Sequence, residues 1–273
     1  MTEVLNISNF TELLPKSSTR PFIAFSDSNQ KFVIKALLNS TSRKRIVSEY
    51  LIGALAEKIG LCRPKAYLAT LTEATIKKLS NASIKVITPD CVALEFVEGL
   101  TEVPSLFYTD DMKKNASLIS FSELNHAHIS KFFCQPENQT MFYCNALFEV
   151  WLLFADNHSD TLFKRTDGTP LFLDGSHAFG YEDNFENLSH SFDKSNSFPV
   201  SGNLEGILRN KNFFKEWFIK IDSIEESILI SVLDSIPERL LFSAEKEALL
   251  TFLTIERKKF IKIWTYRIQN NLL

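Results

Sequence analysis

The sequence predicts an α+β fold in which a β-rich N-terminal part precedes a larger helical part. Short runs rich in Val, Ile and Phe, separated by turn clusters, are concentrated in the first third of the chain. Longer apolar stretches with helical periodicity dominate the remainder. A chain of 273 residues can bury a large core, either as one domain or as two lobes that share a cleft.

Composition and charge are those of an ordinary globular protein. Apolar residues make up 45% of the chain and charged residues 23%, and the 24 Phe fall within periodic segments, which indicates core volume. The net charge of −3 gives no overall basic field, so neither nucleic acid nor an anionic membrane is an expected partner. No signal peptide opens the chain and no apolar run reaches transmembrane length, so we expect a cytoplasmic protein.

The cysteines and histidines do not form a recognisable metal site. The four cysteines form no C-x-x-C pair and have no histidine at a zinc-ligand spacing, which is typical of reduced, mostly packed thiols. His126 and His128 are two residues apart and would fall on different faces of a helix. We therefore do not interpret them as metal ligands.

The first clear structural unit is a β-hairpin. Two β-rich runs, residues 22–25 and 31–37, flank a polar turn, and residues 1–14 precede them as a strand or short helix. Strand alternation places Lys35 between two apolar residues of the same face. A lone lysine in an apolar strand needs an anionic partner or must extend to water.

A helix that follows the hairpin offers such a partner. It is predicted to run through Glu57 and to end at Gly60. Three consecutive residues can cap its start, namely Ser40, Thr41 and Ser42. Glu49 lies beside the apolar stripe, so a helix packed on the hairpin would direct Glu49 toward Lys35. The alternative is an ordinary solvated glutamate.

A linker is predicted near residue 98. Before it, two further strands are predicted at residues 66–71 and 91–97, around a short helical or loop insert. Residues 98–99 form the linker itself, which separates an N-terminal domain, 1–98, from a C-terminal domain, 99–273.

The C-terminal domain is predicted to be helical. Residues 100–140 hold little β signal, with Pro104 and Pro136 as breakers, and a buried helix follows at 141–154. The polar residues 181–203 predict a long surface loop. Further helices are predicted at 204–210, 211–221, 224–235 and 243–270. In the last helix four basic residues are interpreted as a solvated face rather than a nucleic-acid site: Arg257, Lys258, Lys259 and Lys262.

The stretch from residue 147 to residue 180 carries the strongest chemical signal. One apolar run ends shortly before Asp156, and a second run, residues 170–173, leads directly into Asp174. A hairpin turn between the two runs would bring both aspartates to one place. Paired carboxylates beside a hydrophobic layer suit metal binding and proton abstraction. The alternative is a plain hairpin with an aspartate capping each end.

The order of these elements is that of a bilobal kinase. A strand with an interior lysine, Lys35, precedes a helix with a glutamate, Glu49, and the two aspartates follow beyond the linker. In a kinase the lysine holds the phosphates and the glutamate holds the lysine. One aspartate orients or deprotonates the acceptor, and the other holds Mg²⁺.

Short segments along nearly the whole chain match one family in order and spacing. They are Ser18-Thr19-Arg20-Pro21, Phe32-Val33-Ile34-Lys35, Ser48-Glu49-Tyr50-Leu51, Leu61-Cys62-Arg63-Pro64, Glu95-Phe96-Val97-Glu98-Gly99, Phe154-Ala155-Asp156-Asn157-His158, Phe172-Leu173-Asp174-Gly175-Ser176-His177-Ala178-Phe179, Leu233-Asp234-Ser235-Ile236-Pro237 and Glu256-Arg257-Lys258-Lys259. Through them the chain resembles the HipA-like kinases, a compact bacterial branch of the protein-kinase-like fold.

This resemblance implies ATP and Mg²⁺ as cofactors and assigns roles to particular residues. Lys35 matches the lysine that binds the ATP phosphates, and Glu49 matches its helix partner. Asp156 matches the catalytic aspartate of an Asp-Arg-His-x-x-Asn pattern, and Asp174 matches the magnesium aspartate of an Ile-Asp-His-Gly pattern. The hinge, whose backbone would bind adenine, matches Glu95, Phe96 and Val97.

Two positions depart from the catalytic pattern. Asn157 replaces the family's arginine, which has a supporting role. Thr161 stands where the family has an asparagine as second metal ligand, and a hydroxyl is a poorer Mg²⁺ ligand than an amide carbonyl. The neighbouring Asp160 can substitute if the turn shifts.

The phosphate loop is also unusual, because residues 16–20 contain no glycine. The hydroxyls of Ser18 and Thr19, with the guanidinium of Arg20, are the candidate phosphate contacts in this loop. Some HipA-like toxins are autophosphorylated on serines of this loop, so Ser17 or Ser18 is the matching candidate here.

Two functions follow from this pattern. The first is an ATP-dependent phosphotransferase that acts on a Ser or Thr hydroxyl of a protein substrate, with an antitoxin-type partner of the kind known for toxin relatives. The second is a pseudokinase, a nucleotide-binding interaction module, as indicated by Thr161 and the loop without glycine. A lipid kinase and the transfer of AMP in place of phosphate are further alternatives.

Overall fold

The computed structural model describes residues 5–14, 20–38, 42–102, 132–154, 162–180, 184–186, 188 and 211–270. They form an α+β fold with a β-rich N-terminal part and a helical C-terminal part, as the sequence predicts. No helix within the described ranges is long and apolar enough to span a membrane.

The secondary structure of the described residues is as follows. The strands are β1 (Leu5–Leu13), β2 (Phe22–Ser26), β3 (Lys31–Leu38), β4 (Ala66–Leu71), β5 (Val86–Glu95), β6 (Thr101–Glu102), β7 (Leu162–Lys164) and β8 (Pro170–Phe172). The helices are α1 (Arg43–Ile59), α2 (Glu73–Asn81), α3 (Pro136–Trp151), α4 (Lys211–Asp222), α5 (Glu226–Asp234), α6 (Ser243–Thr251) and α7 (Arg257–Gln269). A π-helical segment, Phe252–Glu256, joins α6 to α7.

Five strands close into a barrel in the order β1-β2-β3-β5-β4. The barrel closes where β1 pairs in parallel with β4, and its other pairs are antiparallel. The predicted hairpin is confirmed as β2 and β3, with Phe22 opposite Ile34. Closure leaves these strands no free edge for unwanted pairing.

The two faces of β3 separate as strand alternation predicts. Phe32, Ile34 and Ala36 pack into an apolar cluster to which all five barrel strands contribute. Leu37, on the opposite face, packs with residues of α1 and β5. Lys35 shares the face of Leu37, so its side chain is directed toward α1 and away from the barrel interior.

Helix α1 begins and ends where its capping residues predict. Ser42 is the N-cap and accepts a hydrogen bond from the Arg45 amide, while Gly60 ends the helix with a left-handed φ of 74°. The helix packs closely on the barrel, because a Cβ added at Gly53 would lie 2.4 Å from Ala66 Cβ. Only glycine permits this approach, which brings the Glu49 side of α1 against β3.

The prediction for strand β5 was wrong at both ends. The strand begins at Val86 rather than at residue 91, and it ends at Glu95 rather than at residue 97. Pro89 obscured the start, since proline cannot donate to a strand ladder. Ala36 of β3 pairs with Cys91, and Leu38 pairs with Val86, so the pairing of the two strands is irregular between these points. Pro89 lies within this irregular stretch of β5 and is therefore tolerated.

Two expectations for residues 100–140 were also wrong. Thr101–Glu102 form the short strand β6, which pairs with β7 although the sequence carries little β signal there. Pro136 starts α3 instead of breaking it. Proline fits the first helical turn because its missing N–H would have no partner there in any case. Residues 103–131, which include Pro104, His126 and His128, lie outside the described residues.

The hairpin predicted between the two aspartates is confirmed in its turn and strands. Strands β7 and β8 pair with Leu162 opposite Phe172. The turn is closed by the Arg165 amide, which donates to the Thr169 carbonyl at 2.9 Å, and Gly168 adopts a φ of 86°. Strand β8 ends at Phe172, so Asp174 follows it after one residue.

The C-terminal helices, together with α1 and α3, bury the largest apolar cluster among the described residues. The single helix predicted at 243–270 is interrupted by the π-helical segment. The interpretation of four solvated basic residues was wrong for Arg257, which is buried and donates to the Ile224 carbonyl at 2.8 Å. The helix predicted at 204–210 and most of the loop predicted at 181–203 lie outside the described residues.

Candidate active site

Lys35 on β3 lies between two carboxylates. Its Nζ donates to Glu49 Oε2 at 2.7 Å and to Asp174 Oδ1 at 3.0 Å, and its side chain is 8% exposed. Glu49 comes from α1 and Asp174 from the segment after β8. The structure therefore brings the lysine, the glutamate and one of the two aspartates singled out in the sequence to one place.

Glu49 contacts the segment after β8 as well as Lys35. Its Oε2 also accepts a hydrogen bond from the Gly175 amide at 3.0 Å. A Cβ added at Gly175 would lie 2.8 Å from Ile52 Cβ on α1, so glycine lets this backbone approach the helix. One buried carboxylate thus positions both the lysine and the backbone beside Asp174.

Asp174 is held in an unusual conformation with part of its carboxylate exposed. Its φ is 60°, in the left-handed region, which Asp tolerates better than most residues. Oδ1 accepts from Lys35, from the Ser176 amide at 3.0 Å and from Ser176 Oγ at 2.5 Å. Within the described residues all its carboxylate hydrogen bonds end on Oδ1, and the side chain is 36% exposed. Oδ2 is therefore suitably placed to bind a hard cation such as Mg²⁺.

The three groups shift one another's ionisation. Burial disfavours the Lys35 ammonium, but Asp174 and Glu49 outweigh it and hold the pKa of Lys35 above its ordinary value. Burial also disfavours ionised Asp174, yet Lys35 and the hydrogen bonds from Ser176 hold the pKa of this carboxyl below its usual range. Burial raises the pKa of Glu49, against the opposing effect of Lys35. Lys35 is thus charged and Asp174 is ionised at neutral pH.

Backbone hydrogen bonds join the segment that follows Asp174 to the residues just after α3. The Phe179 amide donates to the Leu152 carbonyl at 2.7 Å, and the Gly180 amide donates to the Leu153 carbonyl at 2.8 Å. Leu153 and Phe179 both have left-handed φ values, 52° and 65°. Such conformations of non-glycine residues are costly and concentrate at functional sites.

Five predicted site residues lie outside the described part of the chain. They are Ser18, Thr19, Asp156, Asp160 and Thr161. The described residues contain no cluster of three or more His, Cys, Asp or Glu that could hold a metal. Asp174 is thus the one predicted metal ligand whose surroundings the structure describes. Arg20 is exposed and lies two residues before β2, with a φ of 46°.

The predicted hinge begins at the last residue of strand β5, Glu95, and two of its three amides are engaged by neighbouring backbone carbonyls. The Glu95 amide donates to the Lys65 carbonyl at 2.9 Å, and the Phe96 amide donates to the Lys31 carbonyl at 3.3 Å. The Lys31 Nζ also lies 3.7 Å from the centroid of the Phe96 ring. Of the three predicted residues, Val97 therefore has the amide best able to meet a ligand.

Sequence reasoning missed two features that contact Asp174. Ser176 donates to the carboxylate from both its amide and its hydroxyl, and the spacing of two residues after an aspartate was the available signal. Arg63 donates from Nη1 to the Asp174 carbonyl at 3.4 Å. It belonged to a matching segment, but no local pattern showed that a residue before β4 would reach the end of β8.

This barrel, its packed helix and the lysine between two carboxylates support a kinase-like phosphotransferase. A family model described as HipA-like kinase matches residues 7–115, so the resemblance is confirmed over that part of the chain. The structure is similar to the crystal structure of the Helicobacter pylori proinflammatory kinase CtkA, with a TM-score of 0.61 and 16% sequence identity. The match covers 98% of this chain and 99% of that one, and at this identity it concerns the fold. No curated protein has a significant sequence match to the chain.

Proposed function

We propose that this chain is an ATP- and Mg²⁺-dependent phosphotransferase of the HipA-like kinase type, which transfers the γ-phosphate to a Ser or Thr hydroxyl of a protein. The observation that carries the proposal is the contact of Lys35 with both Glu49 and Asp174. A lysine ammonium has three N–H donors, and these contacts use two of them. The third remains for a phosphate oxygen.

The proposal includes a bilobal arrangement, with residues 1–98 as the N-lobe and 99–273 as the C-lobe. The barrel and α1 supply Lys35 and Glu49, and β8 leads into Asp174 from the other lobe. ATP then binds in the cleft between the lobes. Its adenine contacts the hinge, and we assign the amide contact to Val97 because the Glu95 and Phe96 amides are engaged elsewhere.

Asp174 would hold Mg²⁺, and Oδ2 is the oxygen available for it because Oδ1 is bonded to Lys35 and Ser176. The low pKa of Asp174 keeps its carboxylate ionised, as a metal ligand requires. When bound there, Mg²⁺ would supply positive charge that neutralises the phosphates. Asp160 and Thr161 are the proposed further ligands, and Ser18, Thr19 and Arg20 are the proposed contacts of the phosphate loop.

In the proposed reaction Asp156 accepts the proton of the acceptor hydroxyl. The hydroxyl oxygen forms a bond to the γ-phosphorus, the bond from that phosphorus to the β–γ bridging oxygen breaks, and ADP leaves. Support for Asp156 is its position in the chain, two residues after the described Phe154 and soon after Leu152 and Leu153, whose carbonyls accept from Phe179 and Gly180. A protein acceptor and an antitoxin-type partner belong to this proposal.

Transfer of label from ATP tests the proposal. The purified chain with Mg²⁺ is incubated with γ-labelled ATP, alone and with lysate proteins, and α-labelled ATP distinguishes transfer of AMP. We expect γ-label on protein, lost in Asp174→Asn, Asp156→Asn and Lys35→Met. Asp167→Asn is the matched control, because Asp167 is an exposed aspartate of the β7–β8 turn whose carboxylate accepts from the amide and hydroxyl of Thr169 in the same turn. Absence of transfer by the unchanged chain, or full transfer by Asp174→Asn, contradicts the proposal.

A pseudokinase is the second candidate, because Thr161 stands where a second metal ligand is expected. This chain would then bind ATP without turnover. A ligand at about 100 times its Kd stabilises a protein by about 2.7 kcal/mol, so thermal shift at millimolar ATP detects a weak site. Stabilisation without γ-transfer, together with transfer restored in Thr161→Asn, identifies this function.

A further inference from the structure

Arg63 is a buried cation that the proposed reaction does not use. It lies between α1 and β4, and its side chain is 3% exposed. Its Nη2 donates to Glu149 Oε1 at 2.8 Å, and its Nε donates to Asn145 Oδ1 at 3.1 Å. Its Nη1 donates to the Asp174 carbonyl at 3.4 Å. The three nitrogens of one guanidinium thus have three different partners.

The partners of Arg63 are themselves held in place. Asn145 and Glu149 lie one turn apart on α3, and Asn145 Nδ2 donates to Glu149 Oε1 at 2.7 Å. The rings of Phe148, Phe154 and Phe172 surround the guanidinium, with centroids 5.7, 5.1 and 6.0 Å from its carbon. The group is therefore enclosed by aromatic and polar atoms with little freedom to move.

A buried ion pair of this kind is poorly explained as a source of stability. Removing two charges from water is costly, and replacing such a pair by apolar side chains of similar volume is often neutral or stabilising. What the pair provides is a defined geometry, because the planar guanidinium donates in fixed directions. The location of the Arg63–Glu149 pair indicates which part of the structure it orients.

Arg63 connects the three segments that meet at the candidate active site. It belongs to the segment after α1, its partners lie on α3 just before residues 155–161, and its third contact is the backbone of Asp174. The preceding residue adds a second tether, because the Cys62 carbonyl accepts from the Phe172 amide at 3.0 Å. Cys62 thus holds the last residue of strand β8, and Arg63 holds Asp174, which follows the strand.

We propose that Arg63 is a positioning residue for Asp174. By donating to the Asp174 carbonyl it holds the left-handed backbone at this residue, which directs the carboxylate toward Lys35. Glu149 and Asn145 hold the guanidinium in the orientation that this contact requires. The inference rests on the proposed function in one respect, that Asp174 binds the metal.

Hydrogen exchange of the ligand-free protein tests the positioning directly. Arg63→Lys keeps the charge but cannot supply three donors in one plane, so we expect exchange in a peptide covering residues 172–180 to rise about tenfold, as the loss of one charge-assisted hydrogen bond implies. A peptide covering β3 should be unchanged. Lys65→Met is the matched control, since Lys65 is in the same segment and forms an exposed pair with Glu57 at 3.1 Å.

A double variant protects this test against loss of folding. Arg63→Met with Glu149→Met removes both charges at similar volume, so the protein is expected to remain folded. It should nevertheless show the faster exchange at residues 172–180. Exchange at wild-type rates in both variants, or equal acceleration in β3 and at residues 172–180, overturns the positioning role.

The metal requirement separates this inference from the proposed function. With ATP present, Arg63→Lys should raise the Mg²⁺ concentration for half-maximal thermal stabilisation about tenfold, with the apparent Kd for ATP at saturating Mg²⁺ little changed. Wild-type protein that shows no stabilisation by Mg²⁺ and ATP contradicts the proposed function, and the exchange result still decides the positioning role. Faster exchange with an unchanged Mg²⁺ requirement overturns the link to the metal.

Discussion

Glu49 on α1 accepts a hydrogen bond from the amide of Gly175, at 3.0 Å and 126 residues further along the chain. The same Oε2 accepts the hydrogen bond from Lys35. The glutamate therefore joins the lysine of the barrel to the backbone of the segment that carries Asp174. Loss of its charge and loss of its oxygen should have different consequences.

Glu49→Gln retains an oxygen for the Gly175 amide but removes the charge that faces Lys35. We expect a folded protein whose kcat/KM for phosphate transfer falls roughly 10- to 100-fold, because hydrogen bonds to charged groups contribute about 1.5–3 kcal/mol. Glu49→Ala should lose more, since the Gly175 amide is then also left unpaired. Glu57→Gln, at a half-exposed position of the same helix, is the control and should have wild-type kcat/KM.

The depressed pKa of Asp174 makes a specific contribution to stability against pH. A carboxyl whose folded pKa lies below its unfolded value, about 3.9, stabilises the fold above that value, and the contribution is lost as pH falls through the folded pKa. We expect the difference in urea midpoint between wild type and Asp174→Asn to be constant near neutral pH and to shrink below about pH 4. If the difference in urea midpoint grew on acidification, Lys35 and Ser176 would not be lowering the pKa of Asp174 as described.

Ser176 supplies two of the hydrogen bonds that lower the pKa of Asp174. Ser176→Ala removes the hydroxyl and keeps the amide, so the pKa of Asp174 should rise toward its ordinary value. The acid limb of the pH–rate profile for phosphate transfer should then move to higher pH, with a loss at neutral pH of about tenfold or less. Ser176→Thr retains a hydroxyl and should restore the wild-type profile. An unchanged acid limb in Ser176→Ala argues against this role.

Arg43 at the start of α1 forms a two-point contact with Glu245 on α6. Nη1 and Nη2 donate to the two carboxylate oxygens at 2.9 and 3.2 Å, and Glu245 is almost fully buried. We expect Glu245→Gln to lower the free energy of unfolding by about 1.5–3 kcal/mol in urea denaturation. Lys246→Met is the control, because its pair with Asp234 is long, at 3.8 Å. An equal loss in both variants would assign the effect to α6 itself and not to the contact.

The parts of the fold that follow local rules were predicted well. Strand alternation placed Lys35 on the α1 face of β3, and the capping residues Ser42 and Gly60 mark the ends of α1. Glu49 was correctly directed toward Lys35 because the position of a residue on a helix face follows from the helical repeat. These features depend on residues close together in the sequence.

The errors arose where partners distant in sequence overrode a local signal. Val86 begins β5 despite Pro89, because β3 and β4 pair along that strand and a register shift accommodates the proline. Arg257 is buried, and the Ile224 carbonyl, 33 residues away, accepts a hydrogen bond from it. A sequence pattern cannot supply such partners, since they depend on how whole elements pack.

The sequence by itself determined that Lys35 lies inside an apolar strand, Glu49 beside the apolar stripe of a helix and Asp174 at the end of an apolar run, because periodicity and turn chemistry are properties of short segments. Only the tertiary structure decided that Lys35 meets Asp174, 139 residues away, and that Arg63 reaches the same aspartate. Those contacts require α1 to pack closely enough for Gly175 to lie against Ile52. The packing of the whole core determines how closely the backbone at Gly175 approaches α1, and no local stretch of the chain determines it.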